Sequence, residues 1–304
     1  MHCYIVKYRT INIFKGEIKM KKLFKVIAIV LVVGIVVGLS LSMVACKKPV
    51  EYKVNKIGVQ AGTTGAIYVK GDEDWGFDGY SNIECLEYSN AGLAVQAMKT
   101  GKVDAVIVDA APAAFLVQKV AGIKLIDIEL TSEEYAFAVS KAKPKLLEDV
   151  NKFLNEKKSD IDAIKAKYFD GSAELKPVTS FDEDNTTKPL IVATNAAFAP
   201  FEYMDGDKYL GIDMEIAKLL ADYLGKDLVI KNMDFNATIP SVETGKADMV
   251  MAGLTISETR KQVVDFANSY FNASQKVIVL KDNTLFDNCK TVEDVEAILK
   301  NAGK

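Results

Sequence analysis

The sequence predicts an α/β protein of two similar lobes with a ligand cleft between them. Three observations carry this. Short apolar strands alternate with amphipathic helices along most of the chain, the pattern of parallel sheets covered by helices. A segment is repeated: Lys99-Thr100-Gly101-Lys102-Val103-Asp104-Ala105-Val106-Ile107 is matched by Glu243-Thr244-Gly245-Lys246-Ala247-Asp248-Met249-Val250-Met251. In each copy a helix end, a Thr-Gly-Lys-x-Asp turn and a buried strand follow one another. Finally, the polar stretch 170–189 divides two α/β runs and reads as a loose linker.

In the first run, strands are predicted over 56–60, 84–88, 104–109, 124–130 and 135–139. Helices open at Thr64 and cover 91–99 and 112–120. The acid-rich stretch 71–82 around Trp75 reads as a solvated turn. Pro144 starts a helix with Leu146, Leu147, Val150, Phe153 and Leu154 on one face, and a second helix covers 160–168. The second run has a strand over 190–194, a hairpin turning at Asp205-Gly206 and a helix over 213–224. A strand over 228–233, a helix from Pro240, a strand over 248–252 and a short helix carrying Arg260 follow. A strand over 275–281 and an amphipathic helix over 291–300 end the chain.

Composition narrows the function. The only histidine is His2, and there is no C-x-x-C pair, P-loop or G-x-G-x-x-G. Histidine-based nucleophilic catalysis and histidine metal sites are therefore excluded, and no metal or cofactor is expected. Enzymes built on carboxylates or lysines stay open. Residues 26–45 form an uncharged apolar run, preceded by Lys21, Lys22 and Lys25 and followed by Cys46. This resembles a bacterial lipoprotein signal, with cleavage before Cys46, lipid on that cysteine and a tether over 46–56. The competing reading is an uncleaved membrane helix. The leader is 1–45, with Met20 as the expected true start. Without it, 31 basic and 40 acidic side chains leave a net charge of −9, which argues against nucleic acid as a partner. Cys85 and Cys289 remain, and spacing does not say whether they pair.

Arg260 is the only arginine after the leader, in a chain that uses lysine everywhere else. Its planar fork grips a carboxylate through two parallel hydrogen bonds, which lysine does not reproduce. It follows Gly253-Leu254-Thr255 at a strand end, where a carboxylate site is one reading. A surface arginine on a helix capped by Thr255 is the other. On the first run, Gln60-Ala61-Gly62-Thr63-Thr64-Gly65 turns from strand to helix, either as an anion seat or as an ordinary capped turn.

These residues resemble the solute-binding proteins of bacterial amino-acid ABC importers, over nearly all of 57–170 and 190–304. The motifs are Val192-Ala193-Thr194-Asn195-Ala196-Ala197-Phe198-Ala199-Pro200-Phe201-Glu202-Tyr203, Gly253 to Arg260, and Gly58 to Gly65. The resemblance implies a two-lobed, periplasmic-binding-protein-like type II fold. It implies that Arg260, Thr255 and the Gly253 backbone hold an α-carboxylate from one lobe and Thr64 with the nearby backbone from the other, with Gln60 and Thr63 also among the ligand-binding residues. Asp109 would pair with the α-ammonium, with a helix cap before Pro112 as its alternative role. Phe198, Phe235 and Asn195 would face the ligand side chain. Many relatives have an acid at the position of Asn195, and asparagine suits a neutral amide or a guanidinium. The implied partners are a polar amino acid, an ABC permease with its ATPase subunit, and the membrane through a lipid anchor. The protein is expected as a monomer on the outer face of the cytoplasmic membrane or in the periplasm. In the family, however, the stretch resembling 190–304 comes first. The reversed order here implies a circular permutation, with one lobe from 57–137 plus 283–304 and the other from 138–282, including the linker.

Overall fold

Each copy of the Thr-Gly-Lys-x-Asp repeat feeds a five-stranded sheet, and the two sheets are laid out alike. The computed structural model describes residues 52–171 and 174–302; the leader, Cys46 and most of its tether lie outside them. The chain enters through β1 (Lys56–Gln60), β2 (Glu84–Tyr88), β3 (Ala105–Asp109) and β4 (Ile123–Ile126). Helices Thr64–Lys70, Ala91–Lys99 and Ala110–Lys119 lie between these strands. The stretch predicted as one strand over 135–139 is two strands, β5 (Glu133–Tyr135) and β6 (Ala138–Ser140), in different sheets. An apolar run of this length cannot by itself show where a chain passes between layers.

Helices Pro144–Glu156 and Lys158–Asp170 follow. Next come β7 (Pro189–Thr194), β8 (Ala197–Phe198) and the hairpin of β9 (Glu202–Asp205) and β10 (Lys208–Leu210). Helix Ile212–Leu224, β11 (Asp227–Asn232), helix Phe235–Glu243 and β12 (Met249–Val250) come after the hairpin. The helix expected from Pro240 thus begins at Phe235 and carries the proline inside it. A one-turn helix Glu258–Lys261, β13 (Val264–Phe266), β14 (Phe271–Ala273), β15 (Gln275–Leu280) and helix Val292–Lys300 complete the chain.

The first sheet has the order β2-β1-β3-β15-β4 and the second β11-β7-β12-β6-β13. In each, the first three strands are parallel and the fourth is antiparallel to both neighbours. β15, which the sequence assigned to the lobe of 138–282, therefore belongs to the first sheet. Its residues alternate between two buried faces: Val277 and Val279 join one core cluster, Ile278 another. Both faces of its strand position are covered, so nothing in its composition names the sheet it joins.

The repeated aspartates do the same work in both lobes. Asp104 Oδ2 accepts the Lys56 N–H at 2.9 Å, and Asp248 Oδ2 accepts the Ile191 N–H at 2.7 Å. Each also donates its own N–H to that residue's carbonyl, at 2.8 Å. The repeat is thus a clasp fastening the third strand to the first. Gly101 and Gly245 turn the chain into it with φ near +73° in both copies, a conformation costly for any residue with a Cβ.

The linker is not loose. Val178 is buried and exchanges two backbone hydrogen bonds with Tyr209, and Ser180 Oγ accepts the Ile230 N–H at 2.8 Å. The segment is stitched along the second lobe despite its polar composition. Cys85 and Cys289 carry free thiols.

Candidate functional site

Strand ends from both sheets converge on one small cavity lined by Gln60, Thr63, Thr64, Asp109, Phe198, Phe235, Ala252, Gly253, Thr255 and Arg260. Nine of these ten are residues that the sequence singled out; Ala252 is the addition. Asn195 adjoins the cavity rather than lining it. Its Oδ1 accepts from Gln60 Nε2 at 2.9 Å and its Nδ2 donates to the Met233 carbonyl at 2.8 Å, so its amide is engaged at both ends.

Arg260 is buried, and of its two open readings the surface one is excluded. Ser257, not Thr255, caps the helix, its Oγ accepting the Arg260 N–H at 3.2 Å. Thr255 is released for the cleft: it accepts from the Thr64 hydroxyl at 3.2 Å and donates to Glu133 Oε2 at 2.8 Å. Arg260 Nη1 donates to the Thr255 carbonyl at 2.6 Å and Nη2 to the Gly62 carbonyl at 3.1 Å. Two of the five guanidinium N–H groups are spent there. Burial lowers its pKa to about 10, opposed by the charges of Glu133 and Asp109, and the group stays charged at neutral pH.

Asp109 ends β3 and directly precedes a helix, yet its side chain does not cap that helix. Instead it accepts a short hydrogen bond from the Tyr135 hydroxyl. Burial, then the negative charge of Glu133, raise its pKa to about 7. An ammonium placed against it would stabilise the ionised form. Thr63 likewise does not cap its helix; its hydroxyl donates to the Gln60 carbonyl at 2.8 Å. The Gly253 N–H, expected to hold a carboxylate, donates to Asp213 Oδ2 at 2.9 Å. Gly253 therefore contributes to the wall and not a donor.

The cleft is shut by bonds between the lobes: Gln60 to Asn195, Thr64 to Thr255, and Arg260 to Gly62. The approach is so close that a Cβ on Gly62 would fall 1.6 Å from Asn236 Oδ1. Atom-free space among the lining residues is about 270 Å³ including the mouth, but only about one water molecule fits wholly within.

The family model of the bacterial extracellular solute-binding proteins, family 3, matches residues 190–302. The chain is 38% identical over 96 residues to the arginine-binding extracellular protein ArtP of Bacillus subtilis, covering 32% of this chain and 38% of that one. It is 33% identical over 122 residues to a probable histidine-binding protein of Neisseria gonorrhoeae, covering 39% and 46%. Residues 190–302 belong to this solute-binding family. Among solved structures, the arginine-bound domain 1 of TmArgBP is 33% identical, with 40% of this chain and 98% of that one covered and a TM-score of 0.28. The chain spans less than half the length of the curated relatives it matches. These homologues are named as binding proteins.

The site also contains residues that the sequence did not reveal. Glu133, on β5, is buried and ties the cleft together: besides Thr255, it accepts from Thr131 Oγ1 at 2.6 Å and Gln275 Nε2 at 3.0 Å. Tyr135 holds Asp109. Outside the cavity lining, Glu202 is fully buried with neither carboxylate oxygen hydrogen-bonded among the described residues. Burial, then the charges of Asp213 and Asp109, push its pKa well above the usual carboxylate range. Nothing local in the sequence marks Glu133 or Tyr135 as site residues, because their partners in the cleft, Thr255 and Asp109, lie more than twenty positions away.

Proposed function

We propose that the protein is an extracytoplasmic lipoprotein that binds a polar amino acid between its lobes and delivers it to an ABC importer. The observation that carries this reading is the pairing of opposite charges around one cavity: the Arg260 fork on the second lobe and Asp109 on the first. A free amino acid has the complementary pair on one carbon. Its carboxylate meets Arg260 with the Thr64 and Thr255 hydroxyls, and its ammonium meets Asp109. Phe198 and Phe235 leave an apolar wall for the side chain. Because both lobes contact one ligand, binding favours the closed form.

A melting-temperature panel of the free amino acids tests this. Ligand at about 100 times its dissociation constant adds about 2.7 kcal/mol to the state that binds it, a rise of several degrees. No shift with any amino acid at millimolar concentration sinks the importer reading.

A second reading, an enzyme on the same fold, has one observation in its favour: an acid poised near neutrality in the cavity, Asp109. Product formed from an incubated amino acid or small carboxylate would establish it.

The proposal includes a circular permutation within one monomer. In its support, Val54 and Ala302 share a core cluster with Ile57 and Leu299, and Asn82 Nδ2 donates to the Leu299 and Ala302 carbonyls at 3.1 and 2.7 Å. A rearranged chain with 190–302 placed before 57–170 is expected to bind the same amino acid with the same affinity. A rearranged chain that does not fold, or a ligand-binding parent that is a dimer, contradicts it.

A further inference from the structure

The Arg260 guanidinium has two aromatic neighbours. Its Cζ lies 5.6 Å from the ring of Phe235, on its own lobe, and 5.2 Å from the ring of Trp75, on the other. Trp75 is the single tryptophan of the chain and lies in the stretch that reads, by sequence, as a solvated turn.

That stretch is a built platform. Asp72 Oδ1 accepts the N–H groups of Asp74 at 2.9 Å and Trp75 at 3.3 Å, capping a 3₁₀ turn over Glu73–Trp75. Asp72 and Phe77 exchange backbone hydrogen bonds of 2.8 and 3.0 Å that close the turn at its base. The Phe77 ring packs edge-on against Tyr68 at 5.3 Å, and Tyr68 belongs to the first lobe's core. The half-buried indole is thus aimed by one lobe at a cation of the other.

The chemistry of guanidinium makes this contact compatible with gripping a carboxylate. Stacking uses the flat face of the ion, where the ring quadrupole attracts it, while its N–H donors point outward in the plane. A ring can therefore cover Arg260 without competing for its hydrogen bonds. Because indole and guanidinium lie on different lobes, the contact exists only when the lobes are together. Its free energy stabilises the closed state alone, and it acts on how long a ligand stays rather than how fast it arrives.

We propose that Trp75 is a positioning residue that covers Arg260 in the closed cleft and slows release of the bound carboxylate. This rests on the amino-acid reading of the cleft. The test uses L-arginine, L-histidine and L-glutamine, titrated by calorimetry while Trp75 emission is followed by stopped flow. An amino acid that binds is expected to change Trp75 emission at the rate of lobe closure. Trp75→Ala is expected to speed dissociation about tenfold, with association rate unchanged. Trp75→Phe should recover most of the slow release, which a merely structural role would not produce.

A ligand-free arm stands apart: Arg260→Ala should increase acrylamide quenching of Trp75. A calorimetric signal with silent emission, or Trp75→Ala releasing at the parent rate, overturns the release role. Unchanged quenching overturns the contact itself. If none of the amino acids binds, the reading of the cleft fails and the release role falls with it, while quenching still decides the contact.

Discussion

The two lobes are the same scaffold with different ends. Their sheets share one strand order, each with an antiparallel fourth strand contributed after the chain has visited the other lobe. The aspartate clasps sit in the same register, pairing Ile57 with Ala105 and Val192 with Met249. Counting from these pairs, Gln60 and Asn195 hold equivalent positions, and so do Asp109 and Gly253. The first equivalent pair meets across the cleft in a hydrogen bond of 2.9 Å. The second pair marks where the lobes diverge. One lobe puts its anion at the strand end itself; the other puts a glycine there and runs on to a cation seven residues later. Repetition builds two walls that fit each other, and divergence at the strand ends supplies opposite charges around one cavity.

The largest expected effect breaks the charged half of this comparison. Arg260→Lys retains the charge but not the fork, and truncating one side of a buried charged pair costs about 2–5 kcal/mol. Calorimetry should show that loss of affinity for the amino acid identified in the melting panel, and near-parental affinity would make Arg260 a scaffold residue.

Next is Asp109→Asn, which removes the anion at the other strand end. Binding should weaken, while stability responds in the opposite sense. With its folded pKa raised to about 7 from a usual 3.8, Asp109 binds more protons folded than unfolded between those values. Its stability contribution is therefore fully present below about pH 4 and is lost as pH rises towards about 7. Asp213, also raised to about 7 by burial, behaves alike. Urea unfolding at pH 4.5 and 7.5 should show the parent losing stability over this interval, and Asp109→Asn losing less. An identical pH slope in the two proteins contradicts the assignment.

Smaller effects compare the clasps. Asp248 is buried and pairs with Lys143, whereas Asp104 is half-buried. Asp248→Ala is expected to cost about 2–3 kcal/mol and Asp104→Ala about 1 kcal/mol in urea unfolding. Equal costs would show that burial does not distinguish the two clasps. Least of all, Gly101→Ala and Gly245→Ala should each cost about 1 kcal/mol, and equally, through backbone strain alone. No neighbouring atom lies within 4 Å of a Cβ at either turn.

Sequence legibility followed the same division. Period, repeat and turn chemistry act over a few residues, so the alternating elements, the doubled clasp, the strand end bearing Asp109 and the short helix bearing Arg260 could all be read in order along the chain. Boundaries failed where an apolar run continued through a change of layer, at 135–139 and at β15. Polarity misled at 170–189, because backbone and hydroxyl groups stitch a segment down as well as apolar ones, and at 71–82, where a capped turn looks like a solvated one.

What the sequence determined by itself is whatever is encoded locally: which segments are strands and helices, that the plan is doubled, and that one arginine stands alone. Only the tertiary structure decided that Ser257 rather than Thr255 caps the Arg260 helix, that Asp213 occupies the Gly253 N–H, and that Asn195 is spent on Gln60 and Met233. It also brought Glu133, Tyr135 and Trp75 to the cleft. A donor or acceptor has several partners within reach of its chain neighbours, and which one it takes depends on the surfaces that folding presses against it.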